Sequence, residues 1–473
     1  MKFMKLIYFC TIMLGCGAAL DANNQTPDVS TIHQGDKLPF KVQIEQADFS
    51  LPNGIHSGVF AVYKGKWLFL AGRTNGLHGF TDTPDNFPPS QQNRTIYVVD
   101  PNSGTVHSRL LTDPESGLDQ QQIDTLSVTS PQFYQTKSTL YITGGYGYDN
   151  INATYGTKDT LTAINIRGLM HWVLNPSAGE TAARHIRQIS DPLFQATGGV
   201  MVQVGKLPTL LIFGQNFAGY YLDNSDGDYL QQVRRFRIID DGVHLSFKDK
   251  GSKPAGQDPN YRRRDLSIVP CIKSVWDLPI PYYVALSGVF TLTGGAWTVP
   301  VLITANGRPS MASPLDPNTF KQGMNNYICP SVGLFSKHRN DMYTVLFGGI
   351  SYEYFHNGVF QTDSELPFIN QVTTIRIDKH GKFTQYLMDS EYPVILSTQS
   401  NPGNQLLFGA GAFFIEAEGL PMHNNGVIKM DELGKSPILL GYIVGGIQST
   451  KHNTDTTSDS AASPYIFKVT LEK

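Results

Sequence analysis

Six times along the chain a run of apolar residues ends in glycine and gives way to a polar or aromatic stretch, at residues 67–72, 140–145, 210–214, 283–288, 344–349 and 442–446. The glycines that close these runs are Gly72, Gly145, Gly214, Gly288, Gly349 and Gly446, at consecutive spacings of 73, 69, 74, 61 and 97 residues. A recurrence on that scale marks an array of similar units. Most runs are followed by a segment that alternates apolar and polar positions, as at 95–99, 160–166, 233–238 and 372–377. A third segment follows a short turn, as where 378–382 leads into 383–387, and another apolar stretch, such as 58–63 or 199–204, precedes each glycine-ended run. Period-two alternation places one face on a core and the other toward solvent, so each unit predicts four antiparallel strands.

Four-stranded units repeated radially are the blades of a β-propeller. A strand ending in Gly-Gly before an alternating strand resembles the kelch motif, and the doublet is intact at Gly144-Gly145, Gly348-Gly349 and Gly445-Gly446. The resemblance extends over nearly the whole chain beyond its N-terminus and is weakest at 276–311. It implies an all-β fold, a single propeller of about six four-stranded blades. A propeller closes its ring or leaves strand edges exposed. The last unit has strands near 409–415, 439–446 and 465–471 and lacks a fourth, while 40–46 alternates and belongs to no unit of its own. That N-terminal strand is expected to complete the last blade as its outer strand.

Composition sharpens this picture. Charged residues are only 16% against roughly 25% in ordinary domains, with 45 glycines and 11% aromatics, which suits short strands joined by tight turns. A net charge of -3 lacks the basic footprint of a nucleic-acid binder. Residues 1–19 read as a signal peptide: Lys2 and Lys5 flank the start, the apolar run 6–14 is too short to span a bilayer, and Gly17 and Ala19 suit a cleavage site. Cleavage before Cys16 is the alternative, because Met13-Leu14-Gly15-Cys16 resembles a lipobox and would put a lipid anchor at Cys16. Either way a flexible linker at 20–39 and a propeller at 40–473 are expected to be exported, to the periplasm or cell exterior, without a membrane span. Cys271 and Cys329 then remain, each at the entry to the first strand of neighbouring units. Such a pair in an exported chain is expected to form a disulfide, with two separate buried thiols as the alternative.

In a propeller the loops joining second to third strands, and those joining blades, emerge on one face. Here the former span 73–94, 146–159, 215–232, 350–371 and 447–463, longer than closing a turn requires, and they predict a funnel. Aromatic residues follow the glycines in several of them: Tyr146 and Tyr148; Phe217, Tyr220 and Tyr221; Tyr352, Tyr354 and Phe355. Such rings suit the faces of sugars or, equally, pack loops against one another. The connections between units add Arg184, His185 and Arg187, then Arg262, Arg263 and Arg264, and the first long loop adds Arg73 and His78. Guanidinium groups bind carboxylate or phosphate bidentately. The expected ligand site therefore comprises Arg73, Tyr146, Tyr148, Arg184, Arg187, Phe217, Arg262, Arg264, Tyr352 and Glu353.

No catalytic residue is assigned, because scattered carboxylates such as Asp149 and Glu353 do not define an acid and base pair. The histidines lack metal-ligand spacing, and the Asp-rich stretch 223–228 is out of register for an EF-hand and reads as a polar turn. No cofactor is expected. Three functions stay open: binding of a small anionic or carbohydrate-like ligand, a sugar-acid isomerase or mutarotase-like enzyme, and a protein-protein interaction scaffold. The second comes from the resemblance, since kelch-like propellers include a periplasmic sialic acid mutarotase and the copper-containing galactose oxidase. The Cys, Tyr and His constellation of the oxidase has no counterpart in this sequence.

Overall fold

The computed structural model describes residues 32–222, 225–454 and 456–473. The signal-peptide and lipobox readings, and the linker up to 31, lie outside the described residues. Among the described residues, alternation becomes sheet: five sheets have four strands each, one has six, and four short two-stranded ribbons accompany them.

The first sheet is Val59–Tyr63, Lys66–Leu70, Thr95–Asp100 and Thr105–Leu110, hydrogen-bonded in chain order. The second is Gln132–Thr136, Thr139–Thr143, Thr160–Asn165 and Ile186–Ser190, and the third Val200–Val202, Thr209–Ile212, Val233–Asp240 and Leu245–Asp249. The stretch with the weakest repeat forms a regular fourth sheet from Ile268–Val275, Leu278–Ala285, Val301–Thr304 and Pro309–Met311. In the six-stranded sheet Ser331–Ser336, Asp341–Ile350, Phe368–Ile377 and Phe383–Glu391 repeat the same order. Ile428–Lys429 adds in parallel to its first strand and Ile32–Gln34 in parallel to its last. Residues 32–34 are thus a strand, where the sequence reading had a flexible linker. The remaining sheet has Phe413–Glu416, Ile438–Val444 and Ile466–Glu472, and its fourth strand, Lys41–Gln46, comes from the other end of the chain.

Lys41–Gln46 runs antiparallel to the C-terminal strand, from Lys41 opposite Glu472 to Gln46 opposite Phe467. Val42 and Ile44 turn inward with Phe40 and join the apolar cluster shared with the six-stranded sheet. Val42 is fully buried. A Val42→Asp change places an unpaired carboxylate there and is expected to lower unfolding free energy in urea by roughly 3 kcal/mol or more; an unchanged midpoint would show that this strand adds nothing to stability.

Main-chain bonds at the inner ends set the sheets around a common axis. The residue entering each first strand is left-handed: Ser57, Ser130, Gly198, Asp265, Ile328 and Gly411, with φ between 49° and 67°. Ser130 N–H donates to Ser57 C=O at 2.8 Å, Gly198 to Ser130 at 3.1 Å, and Asp265 to Gly198 at 2.8 Å. Gly411 donates to Ile328 at 2.7 Å, and Ser57 donates to Gly411 at 2.9 Å, so five of the six neighbouring pairs are joined in this way. Four-stranded sheets linked one to the next at their inner ends are a propeller arrangement. The glycines ending the second strands reinforce it, with N–H groups that cross to the next sheet: Gly72 to Val128 C=O at 2.7 Å, Gly145 to Ala196 at 2.8 Å, Gly214 to Arg263 at 2.9 Å, Gly349 to Phe408 at 3.0 Å and Gly446 to Ile55 at 2.9 Å.

Among the described residues two short α-helices interrupt the strands. One, Gln120–Leu126, starts at an Asp119/Gln122 capping box. The other, Ile166–Leu174, replaces the turn expected after Thr160–Asn165: Asn165 caps it, and it buries Ile166, Leu169, Met170, Trp172 and Val173 against the first and second sheets. Among the described residues no helix is long and apolar enough to cross a membrane. The connection 417–437 lies, by antiparallel order, at the end away from the long loops. There Val427 and Ile428 are buried and Asn425 Nδ2 donates to Cys271 C=O at 3.1 Å.

Cys271 and Cys329 are free buried thiols rather than the expected disulfide. With Asp265 and Ile328 as equivalent starting points, Cys329 stands one residue along its strand and Cys271 six, a height difference of roughly 16 Å at the rise of a β-strand. Each sulfur has its own neighbour at 3.9 Å, the Val269 carbonyl for Cys271 and the Ser267 hydroxyl for Cys329. Burial pushes both thiols up to about 12.

Candidate functional site

Just beyond each left-handed turn the chain forms one more antiparallel pair at the axis. The residue before the turn pairs with the residue after the second-strand glycine: His56 with Arg73, Thr129 with Tyr146, Thr197 with Gln215, Arg264 with Val289, and Tyr327 with Ile350. In the sixth position Ile447 N–H donates to Ala410 C=O at 2.7 Å. All twelve side chains line one cavity of about 560 Å3 on the face of the long loops. The glycine sends its N–H across to the next sheet, so the following residue is carried to the axis.

The cavity has two unlike halves. From the first to the fourth sheet the pairs supply imidazole, guanidinium, hydroxyl and amide groups. Behind them stands an aromatic wall drawn from three loops, with Tyr146, Tyr155 and Phe217 buried and Phe87, Tyr148 and Tyr221 packed against them. Tyr146 stacks on Tyr155 at 5.7 Å and meets Phe217 edge-on at 5.6 Å. Its hydroxyl donates to Gly219 C=O at 2.8 Å and accepts from Tyr221 N–H at 3.1 Å. From the fourth sheet to the sixth, Val289, Tyr327, Ile350, Ala410 and Ile447 join Phe368 in an apolar cluster.

Two cations face the cavity in different states. Arg264 pairs with Asp265 at 3.0 Å and donates to the Tyr229 and Tyr221 hydroxyls; burial works against its charge, yet Asp265 and the tyrosines hold it well above the usual arginine range. Arg73 has only neutral partners among the described residues: Nε donates to Asn75 Oδ1 at 2.9 Å, Nη2 to Pro88 C=O at 3.2 Å, and the guanidinium lies 5.0 Å from the Phe87 ring centre. It is 2% exposed, and burial lowers it to about 10. Burial, with the charge of Arg73 adding, pushes His56 down to about 3. Burial likewise brings His78 to about 4. His56 Nδ1 lies 3.0 Å from Ser57 Oγ, and its Nε2 is buried without a partner.

The His56 shift has a signed consequence. Between about 3 and 6.5 the unfolded chain binds a proton that the folded imidazole refuses, so stability falls as pH is lowered through that window. Urea unfolding should show His56→Asn losing about 2 kcal/mol less than the wild type between pH 7 and pH 5. An equal loss in both would mean that His56 is protonated in the fold.

Of the ten residues expected from sequence, Arg73, Tyr146, Phe217 and Arg264 line the cavity, and the other six stand elsewhere. Tyr148 backs the aromatic wall through Tyr155. Arg184 is exposed on a 3-10 turn. Arg187 makes a two-pronged pair with Asp240 on the third sheet, at 3.0 and 2.8 Å. Arg262 bonds Asp226 and the Phe290 carbonyl and covers the Tyr229 ring at 3.8 Å. Tyr352 packs at the edge of the apolar cluster. Glu353 is fully buried in the ribbon Glu353–His356 and Val359–Thr362, with Oε1 3.4 Å from Thr362 Oγ1 and Oε2 unpartnered. Sequence reasoning missed Gln215, Val289, Ile350 and Ile447, although each directly follows the glycine already singled out.

Burial pushes Glu353 up to about 8. A carboxyl raised above its unfolded value contributes stability that is full below about 4.5 and lost as pH rises through about 8. Glu353→Gln should abolish that decline in unfolding experiments between pH 5 and pH 9; a slope the same as wild type would place the carboxylate in contact with water.

No family model and no curated protein matches the chain. Among solved structures it is similar to one titled "Structure of YjhT", with 11% identity and a TM-score of 0.44 over 90% of this chain and 99% of that one.

Proposed function

We propose that this chain is an exported six-bladed β-propeller, its ring completed by the N-terminal strand Lys41–Gln46, that holds a small anionic or carbohydrate-like ligand in its funnel. The observation that carries the ligand reading is Arg73, a nearly buried guanidinium in the cavity wall with no carboxylate partner among the described residues. Burying a cation without a counter-charge is costly, and the missing anion is what a ligand can bring. Support for six blades comes from the six left-handed entries and the main-chain bonds that join five of their six neighbouring pairs. A thermal-shift screen of sugar acids, neutral glycans and small carboxylates tests the reading. Stabilisation by at least one anion is expected, and none from any of them would remove it.

Two other readings draw on particular observations. A sugar-acid isomerase or mutarotase-like enzyme draws on His56 and His78, neutral imidazoles facing the cavity; polarimetry on freshly dissolved sugar acids would reveal such an activity. A protein-interaction scaffold draws on Trp276, 93% exposed at the tip of the Ile268–Val275 and Leu278–Ala285 hairpin.

A further inference from the structure

We infer that the ligand is an amphiphilic acid, a carboxylate carried on a hydrocarbon body, rather than a polyol; this rests on the funnel being a site for an anion. The division of the cavity wall carries the inference. One arc, from the fourth sheet to the sixth, presents Val289, Ile350, Ala410 and Ile447 backed by Phe368, with the ring of Tyr327 among them and its hydroxyl the one polar group these paired positions contribute there. Apart from that hydroxyl, none of these side chains bears a hydrogen-bonding group. On the other arc most hydroxyls are already committed: Tyr146 bonds Gly219 and Tyr221, and Thr197 bonds the Thr129 and Ser130 carbonyls at 3.4 and 3.2 Å.

A polyol in this cavity would set several hydroxyls against aliphatic carbon, and each would lose its water without gaining a partner. A hydrocarbon body against the same arc gains from burial in proportion to its area. The first loop joins the two requirements, since Arg73 begins it and Leu77, four residues on, packs into the aliphatic cluster. A ligand spanning that distance places its carboxylate on Arg73, the cavity-lining guanidinium without a carboxylate partner among the described residues, and its body on the aliphatic arc.

Isothermal titration of the full-length chain with hexanoate, octanoate, 3-phenylpropanoate, glucuronate and 1-octanol decides the matter. The alkyl series should tighten roughly fourfold per added methylene, octanoate should bind at least 100-fold more tightly than glucuronate, and 1-octanol should bind far more weakly than octanoate. Ile447→Thr should weaken octanoate about tenfold while its far-UV circular dichroism stays that of the wild-type chain. Glucuronate binding more tightly than octanoate overturns the amphiphile and leaves the anion site standing, as does an alkyl series without chain-length dependence. If no anion binds, both readings fall together. Octanol binding as well as octanoate overturns the carboxylate seat.

Discussion

Arg73→Met abolishes anion binding by the funnel and leaves the melting temperature at or above that of the wild-type chain. The two halves of that expectation have one cause. Among the described residues the guanidinium is desolvated and supported only by Asn75, the Pro88 carbonyl and the Phe87 ring, so on its own it is a net cost that methionine removes while filling the volume of the stem. In the complex the same group is the ligand's counter-charge, and losing a desolvated charge pair costs about 3 kcal/mol or more, at least 100-fold in Kd. Arg73→Lys keeps the charge and loses the planar fork and the stacking, and should fall between, near tenfold. Titration calorimetry with octanoate and glucuronate, beside a thermal melt, measures both halves. Undiminished binding by the methionine variant would remove Arg73 from the site, and a large drop in melting temperature would make it a structural residue.

The second large effect is on stability, and it separates two glycines with nearly the same backbone. Gly72 and Gly219 have φ of +84° and +81°. A β-carbon on Gly219 meets open space, whereas on Gly72 it would stand 2.3 Å from the His56 carbonyl oxygen and 2.9 Å from the Gly58 nitrogen, both main chain. Gly219→Ala should therefore cost only the left-handed penalty, about 1 kcal/mol. Gly72→Ala adds an overlap that no rotamer relieves and strains the bond to the Val128 carbonyl, for a loss of about 4 kcal/mol or more. Chemical denaturation of the two variants measures the gap, and equal losses would mean that close packing at the strand end is not what requires glycine.

The repeat was legible because packing of this kind forces glycine at one point in every unit, and its spacing survives where the rest of the repeat has drifted. What those glycines do was not legible, since the partners of Gly72 and Gly145 lie 56 and 51 residues further on. The arginine clusters misled for a related reason. Arg187 is neutralised by Asp240, 53 residues away, and Arg262 by Asp226, so neither is free to meet a ligand, and such pairing has no local signature. Tyr146 was singled out as an aromatic directly after its glycine and Arg73 as a cation of the first long loop, and both line the cavity. The position after the glycine, followed round the ring, would have delivered Gln215, Val289, Ile350 and Ile447, and with them the aliphatic arc that charge and aromaticity alone do not reveal. The helix Ile166–Leu174 was missed because alternation up to Ile166 passes into a helical period without a break. The cysteines were misjudged by treating entry to a strand as a single height.

The paired positions around the axis have an evolutionary consequence. Their backbones hold one another through main-chain bonds, and among the described residues only some of their side chains, those of Tyr146, Thr197 and Arg264, also bond across to a neighbouring unit. The sectors of Tyr327 with Ile350 and of Ala410 with Ile447, which make no such bond among the described residues, can then exchange their two side chains independently of the others, provided that their glycine stays. Selection for a different ligand would act on twelve positions spread from His56 to Ile447, none adjacent in sequence to its neighbour on the ring. Specificity in such a molecule drifts sector by sector, and descendants that share every contact of the scaffold can come to share almost none of the cargo.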